Sequence, residues 1–585
     1  MIVPMKKVTV VVQSKDADST LKELGRLGVL HIEHQKAPAS DNIRELTLKY
    51  QSLLKAIEFL PETKGQNRAV RGEPQALIDQ IISLTDEKEV VTENLKKVNQ
   101  NIEEWKDWGD FSPEEIEDLE YENVRIQLCK ITAKQFKNMP EGVIVEEIFR
   151  KGNIRYCAVI SHEEVELPFK VLDLPEESLS QMLASRGERE DRIKLIEKRL
   201  LELAGQKEKL LLYKKHLESL IEFDQALTGM GQFEKLLYLR GYCPDENIKI
   251  LEKTATDQKW GLLVEDPGDD DSVPTLIKNP RWVEIIRPVF QLINTIPGYK
   301  EVDISMWFLL FFSVFFGMLI GDAGYGLVFF IINAVCHVKF RKSETAKPLF
   351  ILMYALSICA MIWGVLSGTF FGQAYLAKRV EPLLPLLRNN NNVQALCFFI
   401  GALHLSIAHA WRFLRNLPSV KALSEAGWIC MLWAAYFLAK SLILGGVFPE
   451  LGKGLFITGA ALIILFTSPR KNVLKGIGSG VGELLMRIVN SFTDVVSYIR
   501  LFAVGAATVA VADAFNQMAS GVGGNSILAG FAAALILLFG HTLNILLGAM
   551  AILVHGVRLN VLEFSSHLNM EWSGMEYSPF KNKGD

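Results

Sequence analysis

From Ile304 to Val338 the chain carries one charge, Asp322, and further apolar runs follow as far as Glu563. Several of them reach about 18 residues, the length that crosses the hydrocarbon core of a bilayer. Such runs cannot be accommodated in water, so the second half is expected to be a bundle of membrane helices. Up to about Lys300 the chain is instead rich in Lys and Glu, with short apolar runs. It therefore reads as a soluble half, 1–300, followed by a membrane half, 301–585.

The 585 residues are enough for more than one domain, and a net charge of −4 gives no reason to expect a nucleic-acid partner. Only a short apolar run follows Lys6 and Lys7, too short for a signal peptide, so the soluble half is expected in the cytoplasm. The seven cysteines are scattered without a CxxC pair, which suggests neither a disulfide framework nor a zinc site. No glycine-rich phosphate loop and no nucleophile elbow occurs, so no nucleotide site, cofactor or metal of its own is expected.

In the soluble half, "KKVTVVVQSKDADSTLKELGRLGVLHIEH" reads as strand, amphipathic helix and strand, with Val8, Val10 and Val12 alternating and the helix closed by Gly28. Two segments then repeat apolar residues at four-three spacing: Leu77, Ile81, Leu84, Val91 and Leu95 in the first, Ile196, Leu200, Leu203, Leu210 and Leu217 in the second. A seam that narrow must be buried against another helix. The simplest arrangement is an antiparallel coiled coil of 75–106 with 188–227, although an ordinary helical core would also bury it. Between them, "GVIVEEIFRKGNIRYCAVISHEE" reads as two strands around a Lys-Gly-Asn turn. The expected fold is thus an α-helical membrane protein with an N-terminal cytoplasmic α+β domain built on a long coiled coil. A rod of this kind offers no pocket for chemistry and suits attachment to other subunits.

Eight spans are expected, near 304–320, 324–338, 349–371, 393–411, 427–446, 454–467, 483–515 and 527–563. With the N-terminus in the cytoplasm, inner loops hold Lys339, Arg341, Lys342, Lys347, Arg412, Arg415, Lys421, Arg470, Lys471 and Lys475. Outer loops hold only Lys378, Arg379, Arg388 and Lys453. The excess obeys the positive-inside rule and puts both termini in the cytoplasm.

The last two spans carry the polar residues. At 100° per residue, Glu483, Asn490, Thr493, Ser497, Arg500 and Thr508 share one helix face, and His541, Asn544, His555 and Arg558 share another, with Glu563 beside it. A charge at this depth costs several kcal/mol and ordinarily faces a bundle interior or an aqueous path. Arg500 cannot easily snorkel, because the next charge is Asp513. It either neutralises a carboxylate of this chain, Asp322 or Glu563, or lines an ion pathway.

"SYIRLFAVGAA" and "GHTLNILLGAMAILVHGVRLNVLEF" resemble the two motifs of the membrane-embedded subunit of V-type and A-type rotary ATPases, called subunit a in eukaryotes and subunit I in prokaryotes. "FFGMLIGDAGYGLVFF", "WGVLSGTFFG" and "GMEYSPF" support the likeness, and the compact length is closer to the prokaryotic form. The resemblance implies a stator subunit in a prokaryotic plasma membrane, coupling H+ or Na+ movement to ATP hydrolysis or synthesis. Arg500 would then meet each carboxylate of the rotor proteolipid ring (c or K type) as it passes. Arg558 would be the second functional arginine, with His555 and Glu563 in the same motif. The soluble half would bind peripheral-stalk subunits of E and G type and, through them, the A3B3 head, with a central-stalk socket subunit of d or C type nearby. At the places where eukaryotic members carry acidic residues this chain has Met486 and Gly548, with Glu483, His541 and Asn544 close by.

An arginine suits that task. A rotor carboxylate in lipid must be neutral, and a fixed cation between two aqueous half-channels favours its ionised form only there. Guanidinium stays charged when partly desolvated, where a lysine could lose its proton. The other readings are a secondary transporter, which would predict inverted repeats and broken helices, and a structural membrane scaffold, which leaves the polar faces unexplained.

Overall fold

The computed structural model describes residues 1–61, 73–132, 135–136, 143–163, 167, 169, 171–341, 343, 346–373, 382–468, 473–522 and 526–581. Lys342, Lys378, Arg379, Arg470 and Lys471, counted above for orientation, lie outside the described residues, as does the side chain of Lys475. Met1–Val8, Gly241–Gln258 and Leu262–Pro579 form one compact unit, and Thr9–Arg240, Lys259–Gly261 and Phe580–Asp585 form a second.

Strand β1 (Met5–Gln13) buries Val8, Val10 and Val12, as their alternation predicts. It leads to helix α1 (Ala17–Leu27), which stops at Gly28 because that residue turns left-handed, φ 60°, and donates its N–H to the Leu24 carbonyl. Strand β2 (His31–Glu33) follows.

The heptad helices differ from the expected pair. Helix α2 (Asp41–Phe59), which sequence reading passed over, precedes α3 (Pro74–Trp105), and the second heptad segment is two helices, α4 (Leu179–Ala204) and α5 (Lys207–Thr228). The break falls at Gly205, whose backbone freedom makes it a poor helix former. Helix α4 packs on α3, whereas α5 packs on α2. The heptad seam is nevertheless buried: Ile196, Leu200, Leu203, Leu210 and Leu217 join Leu53, Leu77, Ile78 and Ile81 in one core. The partner of the second half of that seam is thus a different helix, because α3 begins only at Pro74.

The knob between the heptads is a four-stranded sheet of β3 (Arg125–Thr132), β4 (Ile144–Lys151), β5 (Ile154–Ser161) and β6 (Val171–Leu172) in the order β4-β5-β3-β6. Strands β4 and β5 are the expected hairpin, with Lys151 paired to Ile154 and Gly152 turning at φ 64°. Strands β7 (Gly231–Phe233), β8 (Leu236–Pro244) and β9 (Gly261–Glu265) complete another sheet, ordered β2-β8-β1-β9 with β7 on β8.

All eight expected spans are helices: α6 (Ser305–Ile320), α7 (Ala323–Lys339), α8 (Lys347–Ser367), α9 (Asn390–Asn416), α10 (Ala422–Leu444), α11 (Glu450–Phe466), α12 (Val473–Ser497) continued by α13 (Ile499–Val522), and α14 (Ile527–Ala551). Their lengths correct the count. Among the described residues five helices are long and apolar enough to cross a membrane, or six with a bent pair taken as one span. That pair is α6 and α7, which turn through 118°, and α11 is short at 17 residues. The α6–α7 turn explains Asp322: its carboxylate accepts from the N–H groups of Gly324 at 2.7 Å, Tyr325 at 3.2 Å and Gly372 at 2.9 Å. It caps α7 and ties in the end of α8, so the one charge of that run is consumed by backbone donors.

The membrane core is built from Phe308, Phe312 and Phe315 of α6, Leu356 of α8, Phe398 and Leu405 of α9 and Leu501 of α13. Helix α13 lies against α6 at Gly505, where a Cβ would stand 2.4 Å from the Met318 carbonyl oxygen. Only glycine permits that approach, and it brings the start of α13 into the centre of the bundle.

Candidate ion-translocation site

Helices α12 and α13 form one 46-residue rod, Ile477–Val522, with a single irregular turn at Tyr498. Tyr498 is fully buried, and its hydroxyl lies 2.8 Å from Nδ1 of His404. The His404 ring is clamped between Phe311, at 3.8 Å, and Phe564, at 4.2 Å. The turn is thereby pinned from three helical segments, and Arg500 comes two residues later.

Arg500 Nη2 donates to Glu563 Oε1 at 3.0 Å, and Arg558 Nε lies 3.7 Å from the same oxygen. Glu563 is 6% exposed, Arg500 25% and Arg558 53%. Of the two carboxylates that could neutralise Arg500 inside this chain, Glu563 is the one that does. Two atoms of the cluster, Nη1 of Arg500 and Oε2 of Glu563, are buried without a hydrogen-bond partner among the described residues.

The end of α14 makes this meeting possible. After Ala551 the helix widens into two π-helical stretches, Ile552–Gly556 and Leu559–Phe564. On an α-helix Glu563 would be turned about 140° from Arg558. The wider turn, with its i→i+5 spacing, swings Glu563 back over Arg558 and towards Arg500. Composition gives no sign of this change of pitch, and the 100° arithmetic therefore left Glu563 merely beside the polar arc.

The other expected residues divide among three places. His541 Nδ1 lies 2.7 Å from the Tyr325 hydroxyl, and Asn544 donates to the Thr508 carbonyl at 2.9 Å, so both tie α14 to its neighbours. His555 Nδ1 is buried and without a partner among the described residues, one turn from Arg558. Ser497 donates to the Asp494 carbonyl of its own helix, and Glu483 pairs with Arg487 at 3.5 Å along α12. Asn490 lines a separate cavity of about 360 Å³.

That cavity holds residues the sequence reading missed. Glu425 Oε2 lies 2.7 Å from His409 Nδ1, His409 Nε2 lies 2.8 Å from His567 Nδ1, and His567 Nε2 lies 3.1 Å from Asp494 Oδ2. Two imidazoles thus join two carboxylates in an unbroken chain, with Arg412 on the other Glu425 oxygen at 2.8 Å. Between the facing nitrogens one donates and one accepts, so a proton entering at one end can leave at the other when the tautomers shift. Sequence could not join these groups, because His409 and His567 are 158 residues apart.

A second cavity, of about 420 Å³, runs along α13 from Leu501 past Gly505 and Val509 to Asp513, walled opposite by Met318 and Trp363. Asp513 is the one ionisable residue in its described lining and accepts from Gln517 at 2.7 Å. The two cavities share no lining residue. Asp494 belongs to one and Leu501 to the other, with Arg500 between them in the chain.

Over an alignment of 620 positions the chain is 32% identical to the V-type ATP synthase subunit I of Borreliella burgdorferi, covering 99% of each. The chain belongs to the subunit I family of V-type and A-type ATP synthases. Subunit I 1 of Treponema pallidum is 29% identical with 100% of both chains covered, and the A-type subunit I of Methanocaldococcus jannaschii is 27% identical over 70% of this chain and 64% of its own. No family model matches the chain. A crystal structure of the cytoplasmic N-terminal domain of subunit I, homolog of subunit a, of V-ATPase covers 44% of this chain and 99% of its own at 14% identity, with a TM-score of 0.23, a likeness too slight to bear on the fold.

As a subunit I, the chain is a membrane component of a rotary ATP synthase. The two positions without an acidic residue are explained differently by the packing. Met486 is 78% exposed on α12, whereas at Gly548 a Cβ would meet the Ile320 side chain at 3.0 Å. A carboxylate has room at the first position, whereas at the second the Ile320 side chain would have to shift.

Proposed function

We propose that this subunit forms two ion half-channels against a rotor proteolipid ring, with Arg500 as the barrier between them. The observation that carries the reading is that separate cavities lie on either side of Arg500 along one continuous rod. The cavity with Asn490, His567 and Asp494 is the cytoplasmic half-channel, and the cavity ending at Asp513 opens outward. This agrees with cytoplasmic termini, since Arg412 borders the first cavity and Asn390 the second.

Arg500 binds Glu563 through one guanidinium nitrogen, and its Nη1 has no hydrogen-bond partner among the described residues. An arriving rotor carboxylate can take that nitrogen, lose its ion and move on, while Glu563 holds the guanidinium in place when no rotor site is present. Arg558 and His555 complete the polar surround. The soluble half, by this reading, joins the peripheral stalks and the catalytic head and resists torque through the buried seam of its helices.

The internal pair also supports a second reading, in which Arg500 and Glu563 are only a static buried ion pair. Removing one partner of such a pair costs about 3–5 kcal/mol, so Arg500→Ala alone should weaken assembly. Arg500→Ala with Glu563→Gln should restore it, because no buried charge is left unpaired: Arg558, which also loses its carboxylate, is 53% exposed and is solvated. Arg500→Lys should abolish ATP-driven ion transport in the assembled complex, and cysteines at Arg500 and Ser497 should crosslink to the rotor helix near its carboxylate. Normal transport in the double variant, or crosslinks confined to this chain, would establish the static pair instead.

A further inference from the structure

The motif "GMEYSPF" takes no part in the ion path, yet it walls a third cavity, of about 400 Å³. Thr275 N–H donates to the Met575 carbonyl at 2.7 Å, Tyr577 N–H to the Thr275 carbonyl at 3.1 Å, and Gly574 N–H to the Ile296 carbonyl at 3.1 Å. Gly574 is required, since a Cβ there would stand 2.1 Å from the Pro297 carbonyl oxygen. Two short helices, Arg281–Glu284 and Arg287–Ile293, supply the rest of the wall, together with Ser305, the first residue of α6.

We propose that this cavity seats the headgroup of an amine-bearing phospholipid of the phosphoethanolamine class. Its depth points to a lipid. Ser305 opens the first apolar helix, and Trp282 and Leu292 stand 59% and 67% exposed on the short helices. An exposed tryptophan beside a charged residue at the start of a membrane helix marks the headgroup level.

The chemistry of the lining selects the headgroup. Arg287 pairs with Glu284 at 3.2 Å through Nη1 and can offer its other N–H groups to a phosphate, as can the hydroxyls of Thr275 and Thr295, while Glu576 can accept from an ammonium. Thr275 is 3% exposed, and neither threonine hydroxyl has a hydrogen-bond partner among the described residues. A buried hydroxyl left unmet is costly, and a phosphate oxygen satisfies it. An anionic headgroup would leave the Glu576 carboxylate uncompensated, and a choline has no N–H to donate to it.

The intact complex should be purified from nanodiscs of phosphatidylethanolamine, phosphatidylcholine or phosphatidylglycerol, and its retained lipid counted by mass spectrometry. Phosphatidylethanolamine should remain after delipidation at one per copy of this chain, and the other two should wash away. Arg287→Ala should lower retention about tenfold. Thr275→Val, which keeps the shape of the wall, should lower it by a smaller factor, and millimolar inorganic phosphate should not displace the lipid. Unchanged retention in both variants, or equal retention of phosphatidylglycerol, would overturn the assignment. Displacement by inorganic phosphate would make the cavity a free-anion site.

Discussion

The cavities on the two sides of Arg500 are built from different materials. The one beside α12 is crowded with titratable groups: two histidines, Asp494 and Arg412, with Glu425 behind them in hydrogen-bond contact. The one beside α13 is walled by Leu, Gly, Val, Met and Trp and by the uncharged polar residues Ser367, Thr369, Gln373 and Asn390, with Asp513 as its one ionisable lining residue among those described. In the first, bonded groups can hand charge along. If the second is a half-channel as proposed, an ion would travel there with water, and the lone carboxylate would act by attracting it. One rod thus presents a chain of hydrogen-bonded titratable groups on one side of its arginine and a water-sized opening on the other.

Breaking the relay should have the larger effect. His567→Ala removes the link between His409 and Asp494, and ATP-driven ion uptake by vesicles carrying the complex should fall about a hundredfold, the scale of losing a positioned proton-transfer group. Complex assembly, followed by co-purification of the other subunits, should persist. Uptake at the wild-type rate would mean that both cavities conduct through water and that their difference is incidental.

A smaller effect is expected at the other end. Asp513→Asn should slow uptake by roughly severalfold, because a half-buried carboxylate lining the cavity acts by steering, and the deficit should shrink at high ionic strength as that attraction is screened. Complete loss of uptake would show that Asp513 is an obligatory carrier and that the second cavity is also a relay.

The sequence made some of this plain and hid the rest for physical reasons. Alternating valines gave β1, and Gly28 and Gly152 marked the turns where a positive φ is needed. The heptads gave buried seams but not their partners, since an apolar stripe does not state which helix covers it. The site residues near one another on a helix were readable as faces, and Arg500 and Arg558 do converge on Glu563. Their mode of meeting depends on the π-helical end of α14, which follows no compositional rule. His409, Glu425 and His567 looked like scattered polar residues until folding placed them in line, and Asp322, which sequence offered as a partner for Arg500, is held by backbone N–H groups instead.

The central claim is that the two cavities open to opposite sides of the membrane with Arg500 between them. Single cysteines at Asn490 and Val509, in a complex otherwise free of reactive thiols, can be labelled with a membrane-impermeant maleimide in sealed vesicles of known orientation. Asn490→Cys should react only from the cytoplasmic face and Val509→Cys only from the opposite face. Labelling of both from the same side would contradict the account.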